Sequence, residues 1–147
     1  HHWANTKLLE HINQLKNAVF LKEVKSVFPS LAAVFEHIYQ VDLLWLQRIL
    51  GEEQPAFEEV QFETPLIAIE YFERNQQKIK QLSFIEGTIR YKNTKGETFQ
   101  NDVHEIVRHI INHGTYHRGN AASVLRQIGE KGISTDYIYF IRELKGQ

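Results

Sequence analysis

The sequence predicts an all-α protein: a four-helix bundle with a short β-hairpin before the fourth helix and a short C-terminal helix. Three observations predict it. Four long stretches repeat apolar residues at helical spacing. The one stretch with strand character lies between the third and fourth of them. Pro29, Pro55 and Pro65 and most of the glycines fall between the periodic stretches, where chain breakers belong. With 147 residues, 42% hydrophobic and 24% charged, the chain suits a single domain over 1–147, and no linker divides it.

The first helix is expected over about Trp3 to Asn17, with Leu8, Ile12 and Leu15 on one face. The second starts near Ser30, after Pro29, and runs to Leu50, where Gly51 supplies a stop. Its apolar set is Leu31, Val34, Phe35, Ile38, Val41, Leu44, Trp45 and Ile49. A stripe that wide belongs to a central helix. Glu52 to Glu63 is acidic and irregular. Thr64-Pro65 then reads as an N-cap with proline at the first helical position, opening a third helix over Leu66 to Leu82 with Ile69, Phe72 and Ile79 inward. Thr88 to Lys92 and Glu97 to Phe99 flank Asn93-Thr94-Lys95-Gly96 and read as a hairpin that must pack on the helices. Asn101 or Asp102 can cap a long fourth helix ending near Ile128, before Gly129. Its inward residues include Val103, Ile106, Ile110, Ala121, Val124, Leu125 and Ile128. A last helix starts at Thr135-Asp136 and carries Tyr137, Phe140 and Leu144.

Composition narrows the function. Net charge is −1, so no broad basic field invites nucleic acid. No apolar run approaches the roughly 20 residues that span a bilayer. No secretory signal is visible, and a cytoplasmic location is expected. The chain has no cysteine, which rules out disulfides and thiolate ligands. Any metal would be held by histidine nitrogens and carboxylates. The chain also lacks methionine, and His1 and His2, native or a tag remnant, are uninformative.

The chemistry concentrates in Asn112 to Asn120, where His113 and His117 stand four residues apart on one helical face. That face also carries Ile106, Ile110 and Val124, so both rings point into the bundle. On the second helix, His37 is close in angle to Val34, Val41 and Leu44 and also points inward. Ligands in helical bundles converge from facing helices, and three of them leave a fourth position open. His109 competes for the third place. It is about 12 Å along the axis from His117, however, so three histidines on one straight helix converge poorly. His109 is therefore read as pocket lining, second layer or partly exposed. His104 faces away, and His11 is ordinary. The competing interpretation is a polar stripe of histidines satisfied by hydrogen bonds.

Other residues keep two readings. Arg118 binds an anionic group or makes an ion pair. Gly119, costing roughly 1 kcal/mol against alanine in a helix, permits close helix approach or a bend. Asn112, Tyr116 and Asp42 are candidates to orient ligands or donate protons. Phe35, Trp45, Phe72 and Phe140 are read as core, and Glu36, Arg48, Glu70 and Arg74 as a solvated face.

His113-Gly-Thr-Tyr-His117-Arg118-Gly119-Asn120, followed by Leu125-Arg126-Gln127-Ile128-Gly129 and Asp136-Tyr137, resembles the C-terminal signature of the DinB-like (DinB/YfiT) metalloenzyme superfamily. Trp3-Ala4-Asn5 with Leu8-Leu9 resembles that family's opening helix, and Leu31 to Leu50 its second, ligand-bearing helix. The resemblance implies up-down-down-up topology, homodimers and a site for one divalent metal ion. By position, the ligands would be His37, His113 and His117. Asn120 stands where many relatives have glutamine. Relatives include metal-dependent hydrolases and thiol-dependent transferases and isomerases.

The expected function is thus a metal-dependent enzyme acting on a small molecule, with zinc favoured and nickel compatible with the same ligands. It would be a hydrolase or an S-transferase using a low-molecular-weight thiol cosubstrate. The alternative is a non-catalytic metal-binding or stress-response module. No catalytic acid or base is assigned.

Overall fold

A computed structural model describes residues 1–15, 18–52, 55–81 and 86–147. These form α1 (His2–Gln14), α2 (Leu31–Ile49), α3 (Pro65–Gln81), β1 (Thr88–Lys92), β2 (Thr98–Asp102), α4 (Val103–Gln127) and α5 (Tyr137–Leu144). The predicted elements are all present in the predicted order. The expected ends of the first helix at Asn17 and of the third at Leu82 lie outside the described residues. Among the described residues, no helix is long and apolar enough to cross a membrane.

The helix boundaries follow from local chemistry. Ser30 Oγ accepts from the Ala33 amide at 3.1 Å and starts α2. Thr64 Oγ1 does the same for Ile67 at 3.3 Å, with Pro65 behind it at a position that needs no N–H. Asp102 caps α4 through a capping box: it accepts from the first turn, while Glu105 accepts from the Asp102 amide. The D-x-x-E spacing that encodes this device is legible in the sequence but was not among the expectations. Two helices end in left-handed glycines. Gly51 (φ 73°) follows α2 and Gly129 (φ 86°) follows α4. In each case the next amide reaches back five residues, Glu52 to the Gln47 carbonyl and Glu130 to that of Leu125. Replacing Ser30 with alanine should lower stability by about 1 kcal/mol, read as a lower urea midpoint with unchanged slope.

In the core, α2 packs against both α3 and α4, and α1 packs against α3. The central position expected for α2 holds: Leu31, Val34, Phe35, Ile38, Leu43 and Leu46 are all buried. Burying such side chains contributes roughly 1.5–3 kcal/mol each before the entropy of ordering them is subtracted. The acidic segment before α3 is irregular, as expected, but it is pinned. Phe62 is 1% exposed, and its amide donates to Glu36 Oε1 at 2.8 Å. Glu36 is therefore half-buried and structural, not part of a solvated face. Arg48 departs from that expectation too. It lies over the rings of Trp45 and Tyr91 and donates to the Lys92 carbonyl, fastening the hairpin to α2. Glu70 and Arg74 are exposed as expected.

The hairpin pairs β1 and β2 antiparallel, with Arg90 opposite Gln100. Asn93 closes its turn, its side-chain oxygen accepting from the Lys95 and Glu97 amides. Of the aromatic residues expected in the core, Phe35 and Phe72 are fully buried, while Trp45 and Phe140 are half-buried. Phe140 rests on Trp3, and Glu143 accepts from the Trp3 indole, so α5 closes over the start of α1.

Candidate metal centre

The packing of α2 on α4 brings His37 against His113 and His117. His37 Nε2 and His113 Nε2 are 3.2 Å apart. The ring centroids lie 5.0 Å (His37–His113), 4.5 Å (His37–His117) and 4.3 Å (His113–His117) from one another. One nitrogen from each ring lies within 4.8 Å of the other two. Metal–nitrogen bonds of 2.0–2.1 Å at tetrahedral angles set donor atoms about 3.3 Å apart. One edge already has that length, and the donor atoms all lie within 4.8 Å of one another.

All three rings favour the neutral form that binds metals. Burial lowers the pKa of His37 and of His117. His113 is pushed down to about 3, by burial and then by the neighbouring histidines. Its Nδ1 is buried without a hydrogen-bond partner. The Asn120 amide lies 3.2 Å from His117 Nδ1. A metal on Nε2 leaves the proton on Nδ1, and the Asn120 amide can then turn its oxygen to accept it.

Phe28 walls the site, its ring centroid 5.3 Å from those of His37 and His117. Tyr116 lies beside His117 at 5.0 Å and is 72% exposed, so this side opens to solvent. His109 stays out of the cluster, as the axial distance requires. It is exposed, 5.8 Å from His113, and its ring packs edge-on against Trp45. His104 faces away and bonds Asp102, and His11 bonds the Lys131 carbonyl. Asn112 is exposed.

A buried polar network lies on the α1 side of α4. His1 Nε2 donates to Asp42 Oδ2 at 2.6 Å. Arg118 donates to Asn5 Oδ1 at 2.8 Å and to Thr115 Oγ1 at 2.9 Å, and its Nη1 approaches His1 Nδ1 at 3.5 Å. Asp42 is 1% exposed, and burial raises its pKa, opposed by His1 and Arg118. Burial lowers that of Arg118 to about 10, opposed by Asp42.

These contacts correct three expectations. His1 is a structural partner of Asp42, not an uninformative terminus. Arg118 is 6% exposed and bonds Asn5 and Thr115, so among the described residues it makes neither a surface nor a buried contact ion pair, although the Asp42 carboxylate acts on it from further off. The glycine that permits close approach is Gly114: a Cβ there would lie 2.1 Å from the His1 ring and 2.9 Å from Arg118 Nη1. A Cβ on Gly119 meets nothing within 4 Å. Sequence reasoning thus missed His1, Asn5, Gly114 and Phe28 as parts of the site's surroundings. Only Asn5, polar on the apolar face of α1, carried a local signal.

The model of the DinB family matches residues 1–145. Protein DinB of Bacillus subtilis (strain 168) is 30% identical over 148 residues, covering 92% of this chain and 86% of that protein. A family match over nearly the whole length and a relative 30% identical over most of both chains place the chain in the DinB family.

Proposed function

We propose that His37, His113 and His117 hold one divalent ion, zinc favoured and nickel compatible, and that the protein is a metal-dependent enzyme acting on a small molecule. The supporting observation is the convergence of three neutral imidazoles from two helices, with one side open to solvent beside Tyr116. The up-down-down-up course of a four-helix bundle, a homodimer and a cytoplasmic location belong to the same reading. A divalent ion in such a site supplies Lewis acidity, lowering the pKa of a water or of a small thiol in its open position. The chain's own residues orient and shield. Asn120 fixes the His117 ring, Phe28 excludes water from one flank, and Tyr116 stands at the opening. With no cysteine in the chain, a thiol nucleophile must come from a cosubstrate.

Zinc-loaded protein is to be assayed with 1-chloro-2,4-dinitrobenzene with and without bacillithiol or cysteine, and with p-nitrophenyl acetate alone. Thiol-dependent consumption of the first identifies a transferase, and thiol-independent cleavage of the second a hydrolase. Either must disappear in the His113→Ala variant. Zinc retention with no turnover in any arm contradicts the enzymatic reading.

The lowered pKa values set a pH dependence. These are bases, so a lowered pKa preserves the neutral, metal-binding form as the pH falls. Three ordinary histidines with pKa about 6.5 would together weaken zinc binding about a thousandfold between pH 8 and pH 5.5. With all three shifted down, the expected loss is smaller than about a hundredfold, read by competition against a chromophoric chelator.

A further inference from the structure

A large cavity does not touch the three histidines. It has a volume of about 760 Å³ and lies between α1, the end of α3, α4 and α5. It sits roughly a third of a turn around α4 from His113 and His117. Its volume is within the range of small-molecule sites. Its walls are mainly apolar, including Trp3, Leu46, Ile110 and Phe140.

Polar groups interrupt this lining, among them His1, Gln76, Thr115 and the Asp136 carboxylate, and two of them, Arg118 and His2, hold a buried atom without a partner. Arg118 lines the cavity, and its Nε is buried with no hydrogen-bond partner. His2 lines it too, and its Nδ1 is likewise buried and unpartnered. Arg118 Nε–H can only donate, so what it lacks is an acceptor. Its other nitrogens reach Asn5, Thr115 and His1, and the Asp42 carboxylate, which acts on Arg118 from further off, turns its bonded oxygen to His1. A buried guanidinium with an open donor favours a charged oxygen over a neutral one. The third observation is Gly119, which lines the same cavity and has open space where a side chain would go. It keeps that part of the wall free of side-chain atoms, although glycine weakens the helix there.

We propose that this cavity is a second ligand site, distinct from the three-histidine cluster, for a small monocarboxylate with an apolar body. The carboxylate docks on Arg118 Nε, and the apolar portion lies against Trp3 and Phe140. The ligand communicates with the histidines only through α4, because none of them lines the cavity.

The probe is 4-phenylbutyrate, with 4-phenylbutyramide as the neutral control, titrated into the zinc-loaded full chain. Trp3 lines the cavity and Trp45 does not, so tryptophan fluorescence of a Trp45→Phe variant reports occupancy. The acid is expected to bind at least about tenfold more tightly than the amide, the ratio set by one charge-assisted hydrogen bond. Gly119→Leu, which builds into the open space, should abolish binding of both while leaving zinc content unchanged. Ala122→Phe fills the same cavity by an independent route. Arg118→Met should erase the preference for the acid.

Equal affinity for acid and amide overturns the proposal, as does no binding of either at millimolar concentration. Binding that survives both Gly119→Leu and Ala122→Phe places the carboxylate elsewhere, the metal included, and also overturns it. So does a concentration-dependent dimer in which a second copy covers Trp3.

Discussion

Replacing His113 with alanine is expected to abolish stoichiometric zinc binding while leaving the helical content unchanged. His113 Nε2 lies 3.2 Å from His37 Nε2, and the residue stands four positions from His117 on the same helix. Zinc sites in small domains release about 10–16 kcal/mol shared over four ligands, so losing one ligand costs roughly 3–4 kcal/mol, or several hundredfold in affinity. The metal-free fold should tolerate the change, because His113 Nδ1 has no partner and its Nε2 meets only another proposed ligand, His37. Zinc that binds only the folded state raises its stability in proportion to the logarithm of its concentration. That zinc-dependent rise in melting temperature should vanish in His113→Ala and persist in His109→Ala, whose exposed ring lies outside the cluster. Metal analysis after dialysis checks the same point. Full occupancy in His37→Ala, His113→Ala and His117→Ala alike contradicts the proposed ligands.

Two glycines in one helix should respond in opposite directions to alanine. Gly114→Ala drives a methyl into the His1 ring. The ring can swing away, but it then abandons Asp42, a carboxylate only 1% exposed. Leaving a buried charge without its partner costs about 3 kcal/mol or more. Alanine returns about 1 kcal/mol of helix propensity, for a net loss of about 2 kcal/mol. The deficit should shrink on acidification, because a protonated Asp42 is less costly to bury alone. The raised pKa of that group moves this effect above the usual carboxylate range. Gly119→Ala meets no atom within 4 Å and should stabilise by about 1 kcal/mol. Urea denaturation of both variants at pH 7 and pH 5 reads these effects, and destabilisation by Gly119→Ala would show that the space beside it is needed.

What could be read from the sequence follows from the range of the forces involved. Helical periodicity and caps are local, so Ser30, Pro65, Asp102, Gly51 and Gly129 announce their elements. The inward placement of His37, His113 and His117 follows from the same periodicity, and their convergence needs only that α2 pack on α4. The role of His1 is not local. It depends on α1 delivering a ring to Asp42, 41 residues away, and on the absence of a side chain at Gly114. The two glycines are alike in sequence, and only the neighbouring helix distinguishes them. Arg48 and Glu36 look like surface charges because nothing in α2 shows that a hairpin and a loop will cover them. Family resemblance carried the ligand set further than spacing alone, but it says little about which small molecule the protein acts on.

The most direct test is a zinc-edge anomalous difference map from crystals of protein never exposed to nickel. The expected result is one peak at about 2.0–2.1 Å from a nitrogen of each of His37, His113 and His117, with a non-protein ligand completing the coordination. No peak at that position under zinc saturation, or a peak held by other residues, would contradict the account.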